Sequence, residues 1–189
     1  MSQADLLARL ERVEAQLAIQ QLAVRYAMAV DARDIDTWLS LFVDDIDCGR
    51  RGRGREALRT FIEPATRDFY RTVHFITGHA IDTIDGDRAS GRVYCRAEHE
   101  YGGQWIVMAC VYHDTYERRD GTWYFAGREE DFFYTCDVLE RPQAVDFARW
   151  PGPAPKHNPP MMLPRFPNWQ TFWSGTDVSA ITTSPAAPK

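Results

Sequence analysis

The fold of this chain is decided by two adjoining stretches, 73-VHFITGHAIDTI-84 and 88-RASGRVYCRAEHEY-101. In both, apolar and polar side chains alternate with a period of two, which is typical of β-strands. The connector Asp85-Gly86-Asp87 is short and turn-like, so the two strands should lie antiparallel. Residues 104–117 and 122–134 repeat the pattern after equally short connectors. The sequence therefore predicts an antiparallel meander of four long strands.

The chain before residue 72 shows helical periodicity instead. Residues 4–29 place apolar side chains three and four positions apart, which predicts a long helix. Two shorter helices are expected from Ile35 to Phe42 and from Gly54 to about Phe69, and a short strand near Asp45–Gly49 is a candidate to join the sheet. Pro64 should bend or split the third helix. Helices followed by a meander predict an α+β domain with its helices on one face of the sheet.

Composition excludes several classes of function. The chain has 189 residues, 22 Lys and Arg against 27 Asp and Glu, and a net charge of −5, which disfavours a nucleic-acid partner. No apolar run approaches the roughly 18–20 residues that a membrane span needs, and the N-terminus has acids where a signal peptide would be basic. We therefore expect a cytoplasmic protein.

Cofactor signatures are missing from the sequence. Its 4 cysteines form no CxxC, its 5 histidines form no HExxH, and no GxGxxG or Walker sequence is present. The cysteines are expected to be reduced structural thiols. No metal and no other cofactor is therefore expected.

The composition changes after residue 141. Ten of the 11 prolines lie from Pro142 onward, among aromatic residues such as Trp150 and Phe166. We predict a domain over residues 1–141 and a proline- and aromatic-rich extension over 142–189. The extension should pack on its own domain or on a neighbouring subunit.

Ionisable side chains occur where a core is expected. Asp31 follows an apolar stretch and is either a turn residue at the helix end or a buried acid. His74 is flanked by Val73 and Phe75, and is either a satisfied core group or a base. His99 shares the apolar face of its strand.

The fourth strand carries a further charge in an apolar run. Arg128 follows four apolar or aromatic residues and needs a partner, and the simplest candidates are Glu129, Glu130 and Asp131. A buried histidine held by a carboxylate would have one tautomer and could act as a general base. Tyrosine and arginine side chains could stabilise developing negative charge.

Three further segments are informative: 26-YAMAVDARDIDTWLSLFVDD-45, 72-TVHFITGHAIDTIDGDRASGRVY-94 and 111-VYHDTYERRDGTWYFAGRE-129. They resemble the SnoaL-like family of the nuclear-transport-factor-like superfamily, whose members include dehydrochlorinases and dehydratases. The resemblance implies a cone-shaped α+β barrel. It also implies a catalytic pair of Asp31 and His74.

The same resemblance implies roles for other polar residues and for the assembly. Tyr26 matches a dehydratase tyrosine, Arg128 an active-site arginine, and His99 a second histidine. The assignments of Arg128 and His99 depend on the strand register, because a shift of one residue would turn each side chain to the other face. Relatives assemble through the sheet, so we expect a homo-oligomer, with a trimer favoured over a dimer.

These observations favour a cofactor-independent lyase acting on a hydrophobic aromatic or polycyclic substrate. The reaction would be dehydration, another elimination, or retro-aldol C–C cleavage such as deformylation of a lignin-derived diaryl propanediol. An isomerase using the same base, a cofactor-free oxygenase, and a non-catalytic ligand-binding or dioxygenase β-like subunit are the alternatives. The expected pocket walls are Trp38, Phe42, Phe69, Trp105, Met108, Tyr112 and Phe132.

Overall fold

A computed structural model describes residues 1–142 and 168–176. Helices pack on a curved antiparallel sheet of four strands in the order β1-β2-β3-β4, as the sequence predicts. The helices of these residues are α1 (Gln3–Ala32), α2 (Ile35–Ser40), α3 (Arg55–Arg67) and α4 (Trp169–Trp173). The strands are β1 (Thr72–Asp85), β2 (Arg88–Tyr101), β3 (Gln104–Arg119) and β4 (Thr122–Asp137).

Helix α1 begins and ends with defined caps. The Ser2 hydroxyl accepts a hydrogen bond from the backbone N–H of Asp5, whose side chain accepts one from Ser2, forming a capping box. At the other end Arg33 takes a left-handed conformation with φ of 61°, and its N–H closes the last turn. The helix therefore extends beyond residue 29, and Asp31 lies in its last turn instead of in the following loop.

The inner face of the sheet follows from strict alternation along the strands. On β2, Val93, Cys95, Ala97 and His99 are buried, while Arg92 and Tyr94 point to the other face and are exposed. Register shifts interrupt β1 between Ile76 and Gly78 and again between Ile81 and Thr83, and two more interrupt the pairing of β3 with β4. Such bulges bend and twist a sheet, so they account for its curvature around the helices.

The segment between α2 and α3 differs from the prediction. No strand forms near Asp45–Gly49; isolated bridges join Phe42 to Phe125 and Asp47 to Arg53, and a 3₁₀ helix follows. The chain turns here too sharply for extended pairing, because Gly52 and Gly54 both have positive φ. Pro64 lies inside α3, which continues to Arg67 without being split.

The predicted extension is only partly described. Residues 168–176 contain α4, where the rings of Trp169 and Trp173 lie 6.1 Å apart between centroids. Trp150 and Phe166 lie outside the described residues, so the division at 141 stays a prediction. Within the described parts of the chain, no helix is both long and apolar enough to cross a bilayer.

The close approach of β1 and β2 at Gly91 makes that residue sensitive to substitution. A Cβ atom at Gly91 would lie 2.6 Å from the backbone oxygen of Ala80, inside van der Waals contact. We expect Gly91→Ala to lower the free energy of unfolding by about 1–3 kcal/mol through overpacking. Urea unfolding followed by circular dichroism measures this. Gly103→Ala is the matched control, because a Cβ there meets no atom of the described residues within 4 Å. Equal stability of the two variants would contradict the expectation.

Candidate active site

A cavity of about 460 Å³ lies between the inner face of the sheet and the helices. Its volume falls in the usual range for small-molecule sites, roughly 300–1,000 Å³. Every strand of the described sheet contributes to its wall, as do α1, α2 and α3. The polar or ionisable side chains that line it include Tyr26, Thr72, His74, His99, Tyr112, Arg128 and Glu130.

Asp31 and His74 form a pair at the edge of this cavity. The carboxylate oxygen Oδ1 of Asp31 lies 2.7 Å from Nδ1 of His74, and Oδ2 accepts the backbone N–H of His74 at 2.8 Å. The histidine side chain is only 10% exposed. Because the carboxylate is an acceptor, Nδ1 carries the proton and Nε2 is the ring nitrogen that can accept one.

Further hydrogen bonds hold the Asp31 carboxylate in place. The Thr72 hydroxyl donates to Asp31 Oδ1 at 2.8 Å and accepts from the Arg33 guanidinium at 2.8 Å. Burial alone would raise the pKa of Asp31, but the hydrogen bonds from His74 and Thr72 and the charge of His74 outweigh it and lower the pKa. Asp31 is therefore ionised at neutral pH.

His99 is a second histidine in the wall, held neutral by its surroundings. Its ring centroid lies 4.4 Å from that of Phe69 and 5.6 Å from that of His74. Burial lowers the pKa of His99 to about 3, and a positive charge on His74 acts in the same direction. Its Nδ1 is buried without a hydrogen-bond partner among the described residues. A polar ligand atom in the cavity could satisfy this nitrogen.

Arg128 is fixed by a carboxylate that the sequence analysis did not identify. Its Nε and Nη2 donate to the two oxygens of Asp114 at 2.8 and 2.7 Å, across the β3–β4 pair. The expected partners Glu129, Glu130 and Asp131 are therefore wrong. Glu129 and Asp131 alternate with Arg128 and point to the other face, and Glu130 lies on the same face two residues along the strand. Asp114 is directly opposite Arg128 on the neighbouring strand and takes both hydrogen bonds.

Aromatic rings surround the Arg128 guanidinium. Its Cζ lies 4.2 Å from the ring centroid of Tyr26, 4.0 Å from that of Tyr112 and 4.4 Å from that of Phe125. Nη1 is buried and has no partner in the described part of the chain. Removal from water raises the pKa of Tyr26 to about 12 although Arg128 opposes the shift, so the phenol stays protonated and can donate.

Glu130 was not singled out as a site residue by the sequence analysis, which treated it only as a partner for Arg128. It lies two residues beyond Arg128 on β4 and lines the same cavity. The side chain is accessible from the cavity, while the protein atoms around it partly desolvate it. This desolvation raises the pKa of Glu130, while the Cys110 thiol, Arg128 and His74 oppose the shift without cancelling it. The period-two spacing from Arg128 is the signal that would have found it.

Most of the predicted site residues converge, and two do not. Tyr26, Trp38, Phe42, Phe69, Met108 and Tyr112 line the cavity together with His74, His99 and Arg128, and Asp31 reaches it through His74. Trp105 is a wrong assignment: its Nε1 donates to Glu98 at 2.7 Å on the opposite face of the sheet. Phe132 is also outside the lining, and it packs against the core cluster that contains Cys110.

The arrangement defines a class of protein: an α+β cone whose cavity holds a carboxylate-oriented histidine beside a fixed arginine and a tyrosine. Such a site can remove a proton and stabilise the charge that results. The chain belongs to the SnoaL-like domain family, whose model matches residues 11–129. In the residues that the structure describes, no three His, Cys, Asp or Glu side chains cluster to hold a metal ion.

The relatives found by comparison include enzymes that catalyse elimination reactions. Hexachlorocyclohexane dehydrochlorinase 1 of Sphingobium indicum is 30% identical over 121 residues, which cover 60% of this chain and 79% of the relative. The crystal structure of a type 2 hexachlorocyclohexane dehydrochlorinase matches with a TM-score of 0.62 at 25% identity, over 69% of this chain and 93% of the other. These relatives are lyases that act by elimination.

A third similar protein carries a different reaction name. A protein from Novosphingobium aromaticivorans assigned as a scytalone dehydratase matches with a TM-score of 0.60 at 25% identity, over 70% of this chain and 93% of the other. Dehydrochlorination and dehydration differ in the leaving group and share the removal of a proton. The comparisons thus support an elimination lyase in general.

The pKa of His99 can be tested directly. We expect the His99 ring to stay neutral throughout the acidic range in which the fold is intact, because its pKa is about 3. Nuclear magnetic resonance of the histidine ring signals against pH measures this. Phe69→Ala should admit water to the ring and move the pKa back toward the ordinary value of about 6.5. A wild-type His99 that already titrates at the ordinary value would contradict the burial described here.

Proposed function

We propose that this protein is a cofactor-independent lyase that acts on a hydrophobic aromatic or polycyclic substrate by general-base elimination. The observation that carries the proposal is the Asp31–His74 pair, with Nδ1 of His74 held 2.7 Å from Asp31 Oδ1 at the wall of an apolar cavity. The same class of reaction is supported by the family to which this chain belongs and by the elimination reactions of its relatives.

In this mechanism Nε2 of His74 takes a proton from an activated C–H or O–H bond of the substrate. Asp31 keeps the ring in the tautomer that accepts at Nε2 and stabilises the imidazolium that forms. In an elimination, the electron pair of the broken C–H bond forms the new double bond and the leaving group departs with its own pair. In a retro-aldol cleavage, loss of the O–H proton forms a carbonyl as the C–C bond breaks. The electron pair of that bond stays on the departing carbon, which then takes a proton from the imidazolium.

Tyr26 and Arg128 stabilise the negative charge that develops on the substrate. Tyr26 stays protonated because burial raises its pKa to about 12, and Arg128 offers Nη1, which has no partner among the described residues. Asp114 engages the other edge of the guanidinium, so the arginine is already oriented before substrate binds. A donor held ready in this way is typically worth about 10²–10³-fold in rate.

The walls of the cavity favour a hydrophobic substrate. Trp38, Phe42, Phe61, Ile62 and Met108 present rings or apolar side chains to it. An isomerase would use the same base and return the proton to another carbon, so the product mass separates it from a lyase. The described cysteines are free thiols, which suits the reducing cytoplasm that we propose as the location.

The proposed base is tested by replacing His74. With metal-stripped protein and a panel of hydroxylated aromatic and polycyclic compounds, mass spectrometry should show loss of water or of formaldehyde. His74→Ala should reduce turnover by at least about 10²–10⁴-fold. Asp31→Asn should also reduce it, since the amide cannot hold the same tautomer or stabilise the imidazolium.

The control for this experiment is His113→Ala, which removes a histidine that lies outside the cavity. It should keep wild-type turnover. An active His74→Ala variant with a native circular dichroism spectrum would overturn the proposed base. A panel in which the wild type binds compounds and converts none would point to the ligand-binding alternative.

We also propose a homo-oligomer formed through the outer face of the sheet, a trimer in preference to a dimer. Phe75 is 47% and Tyr94 45% exposed there, and the Tyr94 ring lies 5.6 Å from that of Phe133. Light scattering should give a mass above that of one 21.7 kDa chain. Tyr94→Glu should shift the population toward the single chain, and a wild type that is monomeric at all concentrations would contradict the proposal.

A further inference from the structure

Glu130 is an ionisable group in the cavity to which the mechanism above gives no task. It lies on β4 opposite Tyr112 in the register with β3, on the same face as Arg128. No ion pair within residues 1–142 and 168–176 includes it, because Arg128 bonds to Asp114 instead. A carboxyl group exposed to an otherwise largely apolar cavity, and not used for a structural ion pair, is available to the substrate.

Burial of Glu130 favours its protonated form, whereas its charged and hydrogen-bonding neighbours oppose that effect. Removal from bulk water raises the pKa of the carboxyl group, and Cys110, Arg128 and His74 reduce the rise without reversing it. A carboxyl group whose pKa is raised stays protonated to a higher pH than usual and can then act as a proton donor. The titratable or charged groups that interact with it come from α1 and from all the strands of the described sheet: Tyr26, His74, Cys95, Cys110, Tyr112 and Arg128.

The leaving group decides whether an elimination needs such an acid. Chloride is a weak base and departs without a proton. Hydroxide is a strong base, since water has a pKa of about 15.7, and it departs readily only when it is protonated as the bond to carbon breaks. An acid beside the base is therefore useful for loss of water and of no use for loss of chloride.

We propose that Glu130 is the general acid of this enzyme and that its site is built for substrates with a hydroxyl leaving group. The inference rests on the proposed lyase function and narrows it to dehydration. His74 takes the proton from carbon, and that C–H electron pair becomes the double bond. The C–O bond breaks toward oxygen, which takes the proton of Glu130 and leaves as water. The imidazolium then returns a proton to Glu130 through solvent, and both groups are restored.

The test compares two leaving groups on one carbon skeleton. The probes are a β-hydroxy ketone with a phenyl ring on its hydroxyl-bearing carbon and the matching β-chloro ketone. Both give the same conjugated enone, whose absorbance reports the rate after subtraction of the spontaneous reaction. Glu130→Gln should slow the hydroxyl probe by about 10²-fold or more and leave the chloride probe nearly unchanged.

A neighbouring residue supplies the matched control. Glu129 is adjacent in sequence and exposed, and it lies outside the lining of the cavity. Glu129→Gln makes the same substitution at a site outside the cavity and should leave both probes at wild-type rates. Glu130→Asp keeps the carboxyl group and should recover part of the rate with the hydroxyl probe.

The pH profile gives a second readout, which a purely structural role would not change. Because Glu130 acts while protonated, kcat/KM of the wild type with the hydroxyl probe should fall as the pH rises through the pKa of Glu130. The chloride probe should show no such fall, and Glu130→Gln should abolish it for the hydroxyl probe.

The outcomes separate this inference from the function on which it rests. A wild type that converts neither probe overturns the proposed lyase and the acid with it. An active wild type whose Glu130→Gln variant loses both probes equally overturns the acid alone, because Glu130 then supports binding or folding. A Glu130→Gln variant that converts both probes at wild-type rates would also overturn the proposed acid.

Discussion

The hydrogen bonds that converge on the Asp31 carboxylate are the constraint on which the rest of this site depends. They join the last turn of α1 to the first residues of β1 through Thr72, the His74 backbone and the His74 ring. Arg33 reinforces the junction, since its guanidinium donates to the Thr72 hydroxyl and to the backbone oxygens of Val30 and Phe69. One carboxylate therefore sets the angle between helix and sheet and orients the base.

The two carboxylates near Arg128 have opposite roles because their surroundings differ. Asp114 has a fully buried side chain, and it accepts both bonds from Arg128 and a third from the Tyr116 hydroxyl at 2.8 Å. That hydroxyl also lies 3.0 Å from His79 Nε2, so the arginine is held by a chain of polar groups leading away from the cavity. Among the described residues Glu130 forms no such ion pair, which leaves its carboxyl group available for the proposed chemistry. The inner face of the sheet thus carries both a carboxylate bound in a structural ion pair, Asp114, and a carboxyl group outside that ion pair, Glu130.

The sequence predicts the strands and most of the cavity because alternation along a strand is a local property. It places Ala97 and His99 on the inner face correctly, and Met108 and Tyr112 among the walls. The same parity argues against Trp105, which lies three residues before Met108 and so points to the other face. That assignment relied on aromatic character where the spacing already gave the answer.

Other features could not be read from local pattern. The partner of Arg128 is Asp114, 14 positions earlier, and only the β3–β4 register brings them together. The last turn of α1 reaches Asp31 because Arg33, a residue with no special preference for positive φ, adopts the left-handed cap. The strand expected near Asp45–Gly49 fails for a similar reason, since the neighbouring glycines turn the chain away.

The curvature of the sheet brings side chains from its two edges into one cavity. The proposed base His74 lies on β1, whereas Arg128 and Glu130 lie on β4, at the opposite edge of the four-strand order. On a flat sheet strands β1 and β4 would be about 14 Å apart, three spacings of roughly 4.8 Å, too far for side chains to act on one small molecule. The register shift beginning at Ile76, two residues after His74, and the one beginning at Thr115, beside Asp114, bend the sheet near these groups. These register shifts are therefore needed for the site, because without the curvature the proposed base and the proposed acid would be too far apart to act on one substrate molecule.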